Sequence, residues 1–135
     1  MLFRSLHSAF SFKPDQPHSV VILMNKVDPV YVTESKNAFD RYNRETYYNQ
    51  SFNIESLSLA DTSQMVLIGR FDNAAAALEY MEKARKTAAS EIIPWLPASK
   101  YSFLIISEGN LEVLKGNKDV YGYRKFLEIS FPGKF

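Results

Sequence analysis

Cysteine is absent from the 135 residues, histidine occurs twice and glycine 5 times. Without thiols, disulfide frameworks and zinc-thiolate sites are excluded. His7 and His18 have no carboxylates around them at ligand spacing, so no transition metal and no other cofactor is expected. The glycines, at 69, 109, 116, 122 and 133, are too scattered to form a phosphate-cradling loop. No serine lies in a G-x-S-x-G turn, which removes the commonest serine-nucleophile template. Excess charge of one sign is missing too: 16 Lys and Arg against 15 Asp and Glu leave +1, so no long-range field draws in nucleic acid. No apolar run approaches the ~20 residues of a membrane-spanning helix. Arg4 and His7 interrupt the apolar residues of segment 1–12, which is therefore not expected to serve as a secretory leader.

What is present is ordinary globular material. A hydrophobic share of 46% with 14% aromatics can support one core, and a chain of this length should withdraw roughly two-thirds of its extended surface from water. Residues 1–17 read as an N-terminal arm ending in Lys13-Pro14-Asp15-Gln16-Pro17. Its Phe3, Phe10 and Phe12 are too apolar for a free linker and should pack on the domain or on something upstream. The remainder, 18–135, reads as a single domain.

Two continuous apolar runs, 18–26 (HSVVILMNK) and 101–107 (YSFLIIS), have no solvent side and are expected to be central strands. Asp28-Pro29 starts a helix to about residue 48, with Tyr31, Ser35, Ala38, Phe39, Tyr42 and Thr46 on its inner face. Segments 52–59 and 65–71 flank a polar turn and predict a hairpin. Asp72 is expected to cap a helix from Ala74 to about Ala89 whose alanine-rich face lies close to the sheet. Glu91-Ile92-Ile93-Pro94-Trp95-Leu96-Pro97 looks extended, and its two prolines confine it to an edge or a short strand. Asn110 is expected to cap a closing helical hairpin, broken at Gly116-Asn117-Lys118-Asp119 and resumed over 120–129. The order implies an α/β sandwich of ferredoxin-like βαββαβ type. Its sheet is mainly antiparallel with two helices on one face, plus an extra short strand and C-terminal helices.

Chemistry-bearing clusters are sparse. Glu108 and Glu112, one helical turn apart, read as solvated charges at a helix start. RNA recognition on this fold needs aromatics on the central strands, and 20–24 has none. Val27-Asp28-Pro29-Val30 matches half of the Asp-x-Pro-Gly turn of amino-acid-sensing domains but lacks the glycine that lets backbone approach a ligand. The aromatics Tyr42, Tyr47, Tyr48, Trp95, Tyr121 and Tyr123 are the remaining signal, and such residues serve either interfaces or half-buried packing. Trp95 with Ile92, Ile93 and Leu96 is the foremost candidate contact site, with Tyr47 and Tyr48 beside it as candidates. The competing role for Trp95 is a plug at the end of the core.

Several motifs, Pro17-His18 leading into the first strand, Ile92-Ile93-Pro94-Trp95-Leu96, Ile106-Ser107-Glu108-Gly109-Asn110-Leu111 and Lys115-Gly116-Asn117-Lys118-Asp119, are similar to the C-terminal domain of a lipoprotein family. The family is the tetratricopeptide-repeat lipoproteins of Bacteroidetes associated with type IX secretion and gliding motility. The likeness spans about 15–135, without that family's lipidated Cys or helical repeats. It implies a non-enzymatic scaffolding module in the periplasm, held at the outer membrane through its parent and contacting protein partners of the secretion machinery. A weaker likeness, Ile68-Gly69-Arg70-Phe71 followed by Ala74 to Leu78, resembles the sporulation-related peptidoglycan-binding repeat and implies glycan binding on an open sheet face.

Overall fold

The computed structural model describes residues 9–135. The expectations for Phe3 and the leader segment therefore fall, wholly or mostly, outside the described residues. Four strands, β1 (His18–Asn25), β2 (Asn53–Ala60), β3 (Ser63–Phe71) and β4 (Tyr101–Ser107), form one antiparallel sheet in the order β2-β3-β1-β4. Helices α1 (Pro29–Thr46) and α2 (Ala74–Thr87) connect β1 to β2 and β3 to β4, and α3 (Glu108–Asn117) and α4 (Val120–Ser130) follow. This is the expected ferredoxin-like arrangement.

Alternation along the strands explains the layers. Val20, Ile22, Val66, Ile68, Phe103 and Ile105 share the face under α1 and α2, where Phe39 meets Phe103 at 6.2 Å. Ser19, Val21, Leu67, Leu104 and Ile106 share the other face, and α3 and α4 lie over it. Leu111 borders the same cleft as Leu67 and Ile106, Arg124 bonds the Ser102 hydroxyl, and Lys118 Nζ donates to the Leu59 carbonyl at 2.8 Å. The result is helix, sheet, helix.

That second layer corrects one expectation. The 101–107 run is an edge strand, and the second central strand is β3. Continuous apolarity reports coverage of both faces, which β4 receives from α2 on one side and α4 on the other. It does not report position in the strand order. The extra short strand expected at 91–97 does not form either. Helical hydrogen bonding runs past α2 through a π turn over Ala88–Ile92, closed by the Ile93 N–H on the Ala88 carbonyl at 2.8 Å. Pro94 and Pro97, which lack donors, then leave only turns.

Two caps shift as well. Asn73, not Asp72, caps α2, its Oδ1 accepting from Ala76 N–H at 2.9 Å, because it sits one residue nearer the first free amides. Ser107, not Asn110, caps α3. Asn110 is buried and clasps the arm instead: its Oδ1 accepts from Ser11 N–H and its Nδ2 donates to Ser11 C=O, both at 2.9 Å. The described part of the arm belongs to the core. Phe10 is only 7% exposed and meets Tyr123 edge-on at 4.7 Å, while Pro14 C=O accepts from Ala74 N–H.

Candidate functional site

Two features stand out on the surface, one at each end of the sheet. At the end where β1 stops, three connections meet: β1 to α1, the β2–β3 turn and the segment leading into β4. Asp28 Oδ1 accepts from Val30 N–H at 3.0 Å and Pro29 opens the helix, so Val30 and Tyr31 are presented on the first turn. Tyr31 is 48% exposed and Thr46 is exposed too, so the inner-face role given to both by spacing is corrected: Ser35, Ala38 and Phe39 turn inward as expected, joined by Val32 and Asn43.

Across from it the segment after α2 is pinned by buried Ile92, Ile93 and Leu96, with Leu96 N–H donating to the Ile93 carbonyl at 3.1 Å. Pinning both flanks thrusts Trp95 outward. The indole is 44% exposed and its ring lies 5.9 Å from that of Tyr31, tilted by 33°. Beside the pair is a shallow depression of about 260 Å³ lined by Lys26, Val27, Asp28, Tyr31, Leu96, Pro97 and Lys100. Its floor is apolar and its rim carries two ammonium groups and one carboxylate.

The sequence candidates therefore divide. Trp95 is a surface residue and not a plug, while Ile92, Ile93 and Leu96 are the plug that holds it. Tyr47 and Tyr48 lie at the far end of α1, roughly 25 Å away along an 18-residue helix. Tyr48 is 80% exposed, but Tyr47 packs into a ring cluster with Tyr42, Phe52 and Tyr80. There the Tyr80 hydroxyl donates to Asn43 Oδ1, and burial pushes the Tyr80 phenol far up and that of Tyr47 up to about 12. The member of the site missed by periodicity is Tyr31. The available signal was its place on the first turn after Asp28-Pro29, where one side of a helix commonly projects beyond the core.

At the opposite end lies an open polar cleft of about 490 Å³ between the sheet and α3. A bulge forms it: Ser19 of β1 faces both Gly69 and Arg70 of β3, which turns Arg70 onto Glu108 at 2.8 Å. Gly69 suits the close approach there, because a Cβ would come within 3.3 Å of the Ser19 Cα. Lys115 pairs with Glu112 at 3.0 Å along the same wall. Ser19, Asn53, Glu55 and Ser107 complete the lining, and no aromatic ring is among it. His18 does not face the cleft as a base. Its ring is buried and its Nδ1 donates to the Gln16 carbonyl at 2.7 Å, and desolvation lowers its pKa. Glu108 and Glu112 are held by cations on the surface, which is the solvated role expected of them. Among the described residues no group of three or more His, Asp or Glu could hold a metal ion, and no helix is long and apolar enough to cross a membrane.

No family model, curated protein or solved structure matches the chain.

Proposed function

We propose that this domain is a non-enzymatic accessory module that makes protein-protein contacts through Trp95, Tyr31 and Val30. The observation that carries the reading is the exposed Trp95–Tyr31 pair beside an apolar depression, standing on a segment pre-ordered by two prolines and three buried aliphatic anchors. Large amphipathic aromatics dominate interface energetics, and pre-ordering lowers the entropy lost on docking. The polar cleft supports a chemical reaction less well, since two of its three carboxylates, Glu108 and Glu112, are ion-paired and only Glu55 stands without a cation.

The finer proposal is that the partners belong to the type IX secretion and gliding machinery, with the domain in the periplasm at the outer membrane. It rests on the resemblance of Pro17-His18, Ile92 to Leu96 and the 106–119 motifs alone. Titration of the purified domain against purified periplasmic and outer-membrane components of that machinery tests both levels. Trp95→Ala combined with Tyr31→Ala should cost about 2 kcal/mol or more of affinity at unchanged melting temperature. Binding that is indifferent to both substitutions would remove the patch from the reading.

Peptidoglycan binding is the second reading. It needs rings on which sugars stack, and the cleft on that sheet face has none in its lining. Retention on purified sacculi, lost on Arg70→Ala and kept in Trp95→Ala, would favour it over protein contacts.

A further inference from the structure

Among the described residues β4 is one edge of the sheet. The Lys26 N–H bonds the Thr62 carbonyl at 2.7 Å, which sets the phase of the ladder. Even-numbered residues of β1 direct their backbone groups to β3 and odd-numbered ones to β4. Ser102, Leu104 and Ile106 therefore pair with β1, and Tyr101, Phe103 and Ile105 turn theirs outward. Ile105 has its carbonyl capped by the buried Tyr123 hydroxyl at 2.6 Å. Among the described residues nothing bonds the outward N–H and C=O of Phe103, and although the residue is only 5% exposed it lines, with Tyr101, a groove of about 380 Å³.

The groove is lined by Arg85 of α2 and Ala89 of the π turn on one side and by Arg124 and Glu128 of α4 on the other, with Phe135 also in its lining. Backbone polar groups that are buried without a hydrogen bond call for a partner. The charges say which kind. Arg85 donates to the Lys134 carbonyl and Arg124 to the Ser102 hydroxyl, and among the described residues neither guanidinium makes an ion pair, although Arg85 lies near enough to Glu82 to help lower its pKa, whereas Glu128 is held by Lys125 at 3.7 Å. We propose that this groove binds an extended acidic peptide segment of a partner protein as a fifth strand beside β4, with Phe103 exchanging the central backbone hydrogen bonds and Arg85 and Arg124 taking the acidic side chains.

The test uses the purified domain, isotope-labelled, and an acetylated, amidated hexapeptide of alternating Glu and Val, with a Lys and Val hexapeptide as control. The acidic probe should bind about tenfold more tightly than the basic one. The Phe103 amide should shift and gain about tenfold protection from exchange, while β2 amides stay unchanged. Arg85→Glu, on the exposed side of α2, should abolish the preference for the acidic probe, and Arg124→Glu should act in the same direction. No change at Phe103 with millimolar acidic probe, or equal binding of both probes, overturns the proposal. So does concentration-dependent Phe103 protection without probe, accompanied by dimers in sedimentation, because the edge would then belong to a second copy.

Discussion

Ile93 and Trp95 are two positions apart and meet opposite environments: one side chain has no solvent exposure, the other projects from the surface. Ile93→Ala should cost about 2–5 kcal/mol by leaving a cavity under the turn. Trp95→Ala should cost well under half of that in the same denaturant titration, since much of the indole is already in water. Titratable residues make a second prediction. His18 is buried neutral with its pKa below 6.5, so the unfolded chain takes up its proton first as pH falls. Its contribution is intact above that pH and is lost progressively beneath it. His18→Asn should flatten the decline of the denaturation midpoint as pH falls below about 6.5. At the alkaline end Tyr47 keeps its proton to about 12 against 10.0 unfolded, and Tyr80 and Tyr123 shift the same way. Stability should thus be level to about pH 9 and fall above 10, where only the unfolded phenols ionise.

Among the elements, β4 shows what a pattern can and cannot say. Its run of Phe103, Leu104, Ile105 and Ile106 made a strand covered on both sides legible. Its place in the sheet was not, because α4 covers it from a distance in sequence that no local pattern encodes. The helices were legible from Asp28-Pro29 and the Ala74 face, whereas the 91–97 segment was misread because a π turn leaves no periodic mark. Turn chemistry supplies a prediction at this scale. The Asp119 side chain caps α4 by accepting from Gly122 N–H at 2.9 Å, and a Cβ on Gly122 would meet the Asp119 carboxylate at 2.2 Å. Gly122→Ala should displace the cap and lose about 1 kcal/mol in thermal unfolding, and adding Asp119→Ala should lose little more.

For the molecule as a whole, the two helical layers make the arm and the C-terminal segment parts of one core. Phe10 packs against Tyr123 and Phe126, so Phe10→Ala should cost about 3–5 kcal/mol, and a chain starting at His18 should melt lower than one starting at Ala9. The contact patch was half legible. Trp95 is conspicuous in any sequence, but Tyr31 joins it only through tertiary approach, and Tyr47 and Tyr48 were grouped with it by residue type although a helix length separates them.

Phe12 and Phe131 touch, with ring centroids 5.6 Å apart. With Phe10 on Tyr123 and Phe126, the described part of the arm and the segment after α4 are joined by ring contacts that lie outside the β ladder. Force applied between those two segments would therefore peel the arm from α4 before it reached the strands, so the arm yields first and the sheet last.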